Sequence, residues 1–222
     1  MSSILSFCQA MLPYILGAAP AVILLRAIRI RQLHRAARST TWQHEVGTVL
    51  FFLFLAGLAS VTVLPQRSAM GHFQLDWHTG LARVNLVPFR IFSDTLWGSD
   101  YFLINFWGNL AMFAPIGFFV PLLWRGHGLK STALTGFCSS LFVELCQLPQ
   151  DRGTDVDDLI LNTLGAVLGY LAYALLKRRF PGFVQRCKLS ARPQPGSGID
   201  SAPADGMPAD SALAEAAETD NC

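Results

Sequence analysis

The chain has 222 residues, of which 52% are hydrophobic, 11% aromatic and only 14% charged, with a formal net charge of +2. Soluble domains carry about 25% charged residues, so the composition excludes an ordinary soluble globular protein and points to an integral membrane protein. The net charge itself says nothing useful about partners, whereas its distribution does; the expected partner is the lipid bilayer and not a nucleic acid.

Five apolar segments approach the length of about 20 residues that crosses the hydrocarbon core. In chain order they are Ile4 to Leu25, Val46 to Leu64, Tyr101 to Trp124, Ser131 to Leu148 and Leu159 to Leu176. The runs are continuous rather than alternating, so helices are expected and not a barrel. The expected fold is therefore all-α: a polytopic transmembrane helical bundle of five spans, with a membrane domain over residues 1–184. From 185 to 222 the chain is rich in Pro, Ala, Gly, Ser and Asp, has little to bury, and reads as a disordered tail.

The basic residues set the expected orientation. Arg26, Arg29, Arg31, Arg35 and Arg38 lie between the first two spans, Arg125 and Lys130 between the third and fourth. Lys177, Arg178, Arg179, Arg186, Lys188 and Arg192 follow the fifth, and Arg67, Arg83, Arg90 and Arg152 fall in the alternate loops. The positive-inside bias places the N-terminus outside and the C-terminus in the cytoplasm. The first run lacks a positive segment before its apolar core, so it reads as a span and not as a cleaved signal peptide. The five cysteines, Cys8, Cys138, Cys146, Cys187 and Cys222, form no metal or redox spacing, and no cofactor is expected.

This orientation directs the chemistry-bearing residues outward. The loop from Pro65 to Asp100 holds Asn85-Leu-Val-Pro-Phe89-Arg90, and with Trp77, Trp97 and Tyr101 it reads as a segment lying at the interface. Phe89 suits a plain interfacial anchor, whereas Asn85 and Arg90 divide evenly between anchor and ligand contact. On the third span Asn105 and Asn109 are four residues apart and share a helix face, and Pro115 frees the carbonyl of Ala111. Asparagines that bond between helices are common in bundles, which accounts for Asn105 better than for Asn109.

On the fourth span Glu144 and Gln147 share a face. A charge at a helix centre costs about 3 kcal/mol to insert, so Glu144 must be protonated, paired with Arg or bound to a cation. Next come Asp151, Arg152, Asp155, Asp157 and Asp158. Asp155 or Asp157 caps the fifth helix, and Asp158 complements its positive end. One carboxylate suffices for a cap, so the excess leaves a possible Mg²⁺ site at Asp155, Asp157 and Asp158, although the spacing is not that of an EF-hand. Arg152 can bridge Glu144 and an Asp, or hold an anion in bidentate fashion. Asp158, Asn162, Gly165 and Gly169 form one stripe on the fifth span. Gly165-x-x-x-Gly169 lets a second helix approach closely, so Asp158 and Asn162 should face the bundle interior and not lipid.

Taken in order, these residues resemble the VanZ-like family. The matches are Asn85-x-x-Pro88-Phe89, Gly108-Asn109-x-x-x-Phe113-x-Pro115-x-Gly117-x-x-x-Pro121, Glu144-x-x-Gln147, and Arg152-x-x-Asp155-x-Asp157-Asp158-x-x-x-Asn162-x-x-Gly165. The resemblance covers a core of about 85–176 and implies a multi-pass protein of the bacterial inner membrane acting near the cell envelope. The family is named for a protein conferring low-level resistance to the glycopeptide teicoplanin, which implies neither a substrate nor catalytic residues.

Two functions compete on these residues. The first is a non-enzymatic protein whose outward pocket (Asn85, Arg90, Asn109, Glu144, Gln147, Arg152, Asp155, Asp158 and Asn162) binds an amphiphile, such as a lipid-linked envelope precursor or a lipoglycopeptide, or modulates glycopeptide susceptibility. The second is a membrane enzyme acting on a phosphorylated lipid-linked substrate, with Glu144 as general acid or base and the aspartates on Mg²⁺. A proton-coupled transporter is less well served, because no inverted repeat is evident.

Overall fold

A computed structural model describes residues 2–36, 38–64, 81–82, 84–90, 100–150, 155–188 and 192–193. Among these are six helices: α1 (Ser2–Arg35), α2 (Trp42–Thr62), α3 (Asp100–Leu123), α4 (Leu129–Gln147), α5 (Val156–Arg179) and the short α6 (Pro181–Cys187). Two-residue strands β1 (Arg38–Ser39) and β2 (Arg192–Pro193) pair antiparallel, Arg38 opposite Pro193.

Four of the helical stretches are long and apolar enough to cross a membrane: Gln9–Arg35, Trp42–Thr62, Asn105–Leu123 and Val156–Arg179. The fifth expected span, α4, forms a helix of 19 residues but is too polar for that set. Its buried face carries Thr132, Gly136, Ser140, Val143 and Glu144. Small and hydroxyl-bearing residues of this kind suit packing against another helix rather than lipid. At 1.5 Å per residue, α4 still runs about the depth of the hydrocarbon core.

The centre of the bundle is the α3–α5 pair, packed backbone against backbone. A Cβ added at Gly117 would lie 1.8 Å from the Ala166 carbonyl oxygen; at Gly169 it would lie 1.9 Å from that of Ala114, and at Gly165 2.4 Å from that of Leu110. Only glycine permits this approach, as the Gly165-x-x-x-Gly169 spacing implied. On α4, a Cβ at Gly136 would meet Ala166 Cβ at 2.4 Å, so α4 seats on the same stretch of α5. A second core joins α2, α3 and α4 through Phe51, Leu58, Phe113, Ile116, Val120, Leu123 and Val143. There Phe51 stacks on Phe119 at 5.6 Å and meets the edge of Trp124 at 5.8 Å.

Helix α1 is peripheral and leans on α2, where Gly57 leaves room for Met11 and Ile15. The α1–α2 hairpin is fixed at its connection by Arg26, whose guanidinium lies 2.6 Å from the Glu45 carboxylate; Thr40 donates to the other Glu45 oxygen at 2.7 Å. At the same end the Thr41 hydroxyl donates to the Arg186 carbonyl, and buried His44 places Nδ1 2.9 Å from the Cys187 carbonyl. Val184 and Cys187 are buried with Leu122 and Tyr173. Ordered helix therefore continues to Cys187, past residue 185 where a disordered tail was expected to begin. The reason is apolar burial at Val184 and Cys187, which the Pro- and Ser-rich composition further on conceals.

Candidate functional site

The opposite end of the bundle collects the C-termini of α2 and α4, the N-termini of α3 and α5, and the segment 84–90. Asp155 has extended backbone angles (φ −125°, ψ 130°) and caps α5 by accepting the Asp157 N–H at 3.0 Å. It is one of the two caps, Asp155 or Asp157, that the sequence left open. The same carboxylate receives Asn85 Nδ2 at 3.0 Å on each oxygen, while Val156 N–H donates to the Asn85 carbonyl at 3.0 Å. Asn85 Oδ1 in turn accepts the Val87 N–H at 3.1 Å, holding the turn through its own side chain.

Phe89 follows Pro88 with a positive φ of 65°, a conformation that a bulky residue adopts only at a cost. It is held there by its N–H, which donates to Asp157 Oδ1 at 2.5 Å. Phe89 is 61% exposed and its neighbours Leu86 and Val87 are exposed too, in keeping with an interfacial segment. Arg90 is exposed beside it.

Inside this rim lies a buried polar layer between α3, α4 and α5. Asn162 of α5 donates to Ser140 Oγ of α4 at 2.9 Å. One turn further out on those helices stand Asp158 and Glu144. Asn109 of α3 donates to Asp158 Oδ1 at 2.5 Å, tying the third helix to the layer. Glu144, Asp157 and Asn162 are 4%, 3% and 3% exposed. Asn105 sits half-buried one turn beyond Asn109.

Gln147 is directed elsewhere: its Nε2 donates to the Thr62 carbonyl at 2.9 Å. Gln150 does the same for Val63 at 3.0 Å and also bonds the Cys146 carbonyl at 2.8 Å. These glutamines satisfy carbonyls that the C-terminal turn of α2 leaves open. Between the same helices lies an apolar cleft of about 410 Å³, lined by Leu55, Leu58, Phe113, Ile116, Phe142 and Val143 among others, with Thr62 and Val63 also in its lining. Val143 lines the cleft and the next residue, Glu144, belongs to the polar layer.

The structure thus brings together Asn85, Asn109, Glu144, Asp155, Asp157, Asp158 and Asn162 at one end, with Gln147 on the neighbouring face of α4. Arg152, Asp151, Trp77 and Trp97 lie outside the described residues. Ser140 and Gln150 were not singled out from the sequence. Ser140 was open to detection, because it lies four residues before Glu144 on the same helical face; Gln150 follows Pro149 in a turn and carried no such signal. Asp155, Asp157 and Asp158 address three different partners, and among the described residues no group of three or more metal-ligating side chains converges.

The helices and their polar layer define a multi-pass membrane protein. A family model described as VanZ/LLP1 matches residues 51–177, more than half of the chain, and the chain belongs to the VanZ-like family. No curated protein and no solved structure matches it.

Proposed function

We propose that this VanZ-like protein resides in the bacterial inner membrane, N-terminus out and C-terminus in, and binds an amphiphilic envelope ligand at the outer end of its bundle, thereby modulating susceptibility to envelope-targeting antibiotics. The observation that carries this reading is the juxtaposition of Glu144 and Val143: the former is 4% exposed in a polar layer and the latter lines the apolar cleft. A polar headgroup and an apolar tail are thereby offered adjoining surfaces on one helix. Burying polar side chains in a bundle costs free energy even where they are paired, a cost that packing alone gives no reason to retain.

Asn109, Glu144, Asp158 and Asn162 are assigned to the headgroup, with Asn85, Arg90 and Asp155 at the rim; Arg152, outside the described residues, is proposed as a further contact from the sequence alone. Gln147 contributes by holding α2 against α4. A lipid-linked precursor or a lipoglycopeptide has the required division into polar and apolar parts. The enzymatic alternative, a phosphorylated lipid turned over through Mg²⁺ on the aspartates, is served less well because those carboxylates diverge towards Asn85, the Phe89 N–H and Asn109.

The test is complementation of a deletion strain, scored by susceptibility to glycopeptides and other envelope-targeting antibiotics. Glu144→Gln is nearly isosteric and should insert and accumulate normally while failing to complement. Leu164→Ala, on a lipid-facing position of α5, should complement fully. Full complementation by Glu144→Gln in a strain with a measurable phenotype would remove the ligand role from the layer.

A further inference from the structure

We propose that the end of the bundle remote from the polar layer is a recognition surface for anionic phospholipid, with α6 as its interfacial element and the lipid phosphate as the recognised group. It does not rest on the amphiphile assigned to the other end. Helix α6 starts directly after α5 and packs across the ends of three helices. Val184 and Cys187, three residues apart, turn one face of α6 onto Leu122 of α3 and Tyr173 of α5. Thr41 and His44, at the start of α2, bond the Arg186 and Cys187 carbonyls and fix its far end. The rest of α6 faces outward: Phe183 is 47% exposed, Arg186 is exposed, and Phe180 at the N-cap is 61% exposed. Phe183 and Arg186 are three residues apart and so stand side by side. An apolar ring beside a cation is the pattern of a helix lying in the interface, with the ring among acyl chains and the guanidinium at the headgroup phosphates. Trp42, 70% exposed at the start of α2, suits the same depth.

Charge points the same way. Residues 26–36, 40–48, 120–132 and 174–188, all described, make up this end and hold eleven Lys and Arg against one acid, Glu45. That acid is already bonded by Arg26 and Thr40. Lys188 Nζ stands 5.6 Å from the centroid of the Tyr173 ring, a cation held by an aromatic face and not by a carboxylate. Arg178 and Arg179, the last residues of α5, are exposed where α6 begins, as Arg186 is where it ends. Guanidinium groups take phosphate oxygens in bidentate fashion. Each Lys or Arg near an anionic leaflet strengthens the attraction by roughly fivefold. A soluble phosphate or a polyanion would use the cations but leave Phe180, Phe183 and Trp42 in water. A lipid that carries its phosphate above an acyl chain satisfies both.

The experiment titrates the full-length chain in detergent with phosphatidylglycerol, phosphatidylcholine and phosphatidylethanolamine of identical acyl chains, and reads bound lipid by native mass spectrometry. Phosphatidylglycerol should bind at least about tenfold more tightly than the two zwitterionic lipids, and salt should reduce that preference. Arg178→Gln, Arg179→Gln and Arg186→Gln together should bring the three lipids to equal affinity. Arg178→Lys, Arg179→Lys and Arg186→Lys together should retain the preference, because the charges remain. Glycerol 3-phosphate at the same concentration should not displace the lipid. Equal binding of the three lipids by the unmodified chain overturns the proposal, since other acids of the chain would then already meet these cations. A preference that survives the glutamine variant removes these arginines from the surface, and displacement by glycerol 3-phosphate replaces the lipid by a soluble anion; each overturns the assignment. The comparison of lipids on the unmodified chain stands even if the glutamine variant fails to fold.

Discussion

Asn85 Nδ2 lies 3.0 Å from both carboxylate oxygens of Asp155, a residue 70 positions further along the chain. With the Val156 N–H on the Asn85 carbonyl, this pair clamps the segment 84–90 onto the first turn of α5. Hydrogen bonds to a charged group contribute about 1.5–3 kcal/mol, and loss of an N-cap costs about 1 kcal/mol. Asn85→Ala and Asp155→Ala should each destabilise the protein, Asp155→Ala more, and the double variant should cost at least about 1 kcal/mol less than the sum. Additive effects in detergent unfolding would show that the clamp contributes nothing.

The α3–α5 contact makes a contrasting set of glycine substitutions informative. Gly→Ala within a helix ordinarily gains about 1 kcal/mol. Gly117→Ala and Gly169→Ala should instead lose about 3 kcal/mol or fail to fold, because the new methyl meets a backbone carbonyl that cannot move aside. Gly108→Ala, with nothing within 4 Å of the added atom, should be neutral or stabilising. Thermal stability of the three purified variants decides the matter.

The proposed orientation, N-terminus out and C-terminus in, rests on where the basic residues stand. The stretch from Arg26 to Arg38, the stretch from Arg125 to Lys130 and the chain from Lys177 to Arg192 together hold most of the Lys and Arg. A fusion reporter active only in the periplasm should be silent after Arg179 and active after Val63. The reverse pattern would turn the polar layer towards the cytoplasm.

Cys187, 3% exposed in α6, has its thiol pushed up by burial. A smaller thiolate fraction and restricted access both slow alkylation. In a chain whose other cysteines are replaced by serine, Cys187 should react with iodoacetamide at least about tenfold more slowly when folded than in denaturant at pH 8. Similar rates would mean that α6 does not dock.

The helical segments were legible because apolar runs of membrane length have few alternatives. Legibility failed at α4 in one respect. Its hydroxyl residues and Glu144 make it too polar to count among the apolar spans, yet they are what seats it on α5 through Ser140 and Asn162. The inward placement of Asn162 was readable from Gly165 and Gly169, since a glycine stripe marks the packed face. That an aspartate, Asp155 or Asp157, caps α5 was readable from local sequence, though not which of the two. What Asn85 and Gln147 touch was not: one reaches Asp155 and the other the Thr62 carbonyl, 85 positions away, and no local pattern specifies such a partner.

The central claim, that the outer polar layer holds an amphiphile, is tested most directly by ligand occupancy. The full-length protein is purified after equilibration with vesicles of total bacterial polar lipid and examined by native mass spectrometry beside Glu144→Gln of equal thermal stability. The account expects one retained amphiphile on the unmodified chain and an occupancy at least tenfold lower on the variant. Equal occupancy of the two proteins, or none on either, would contradict it.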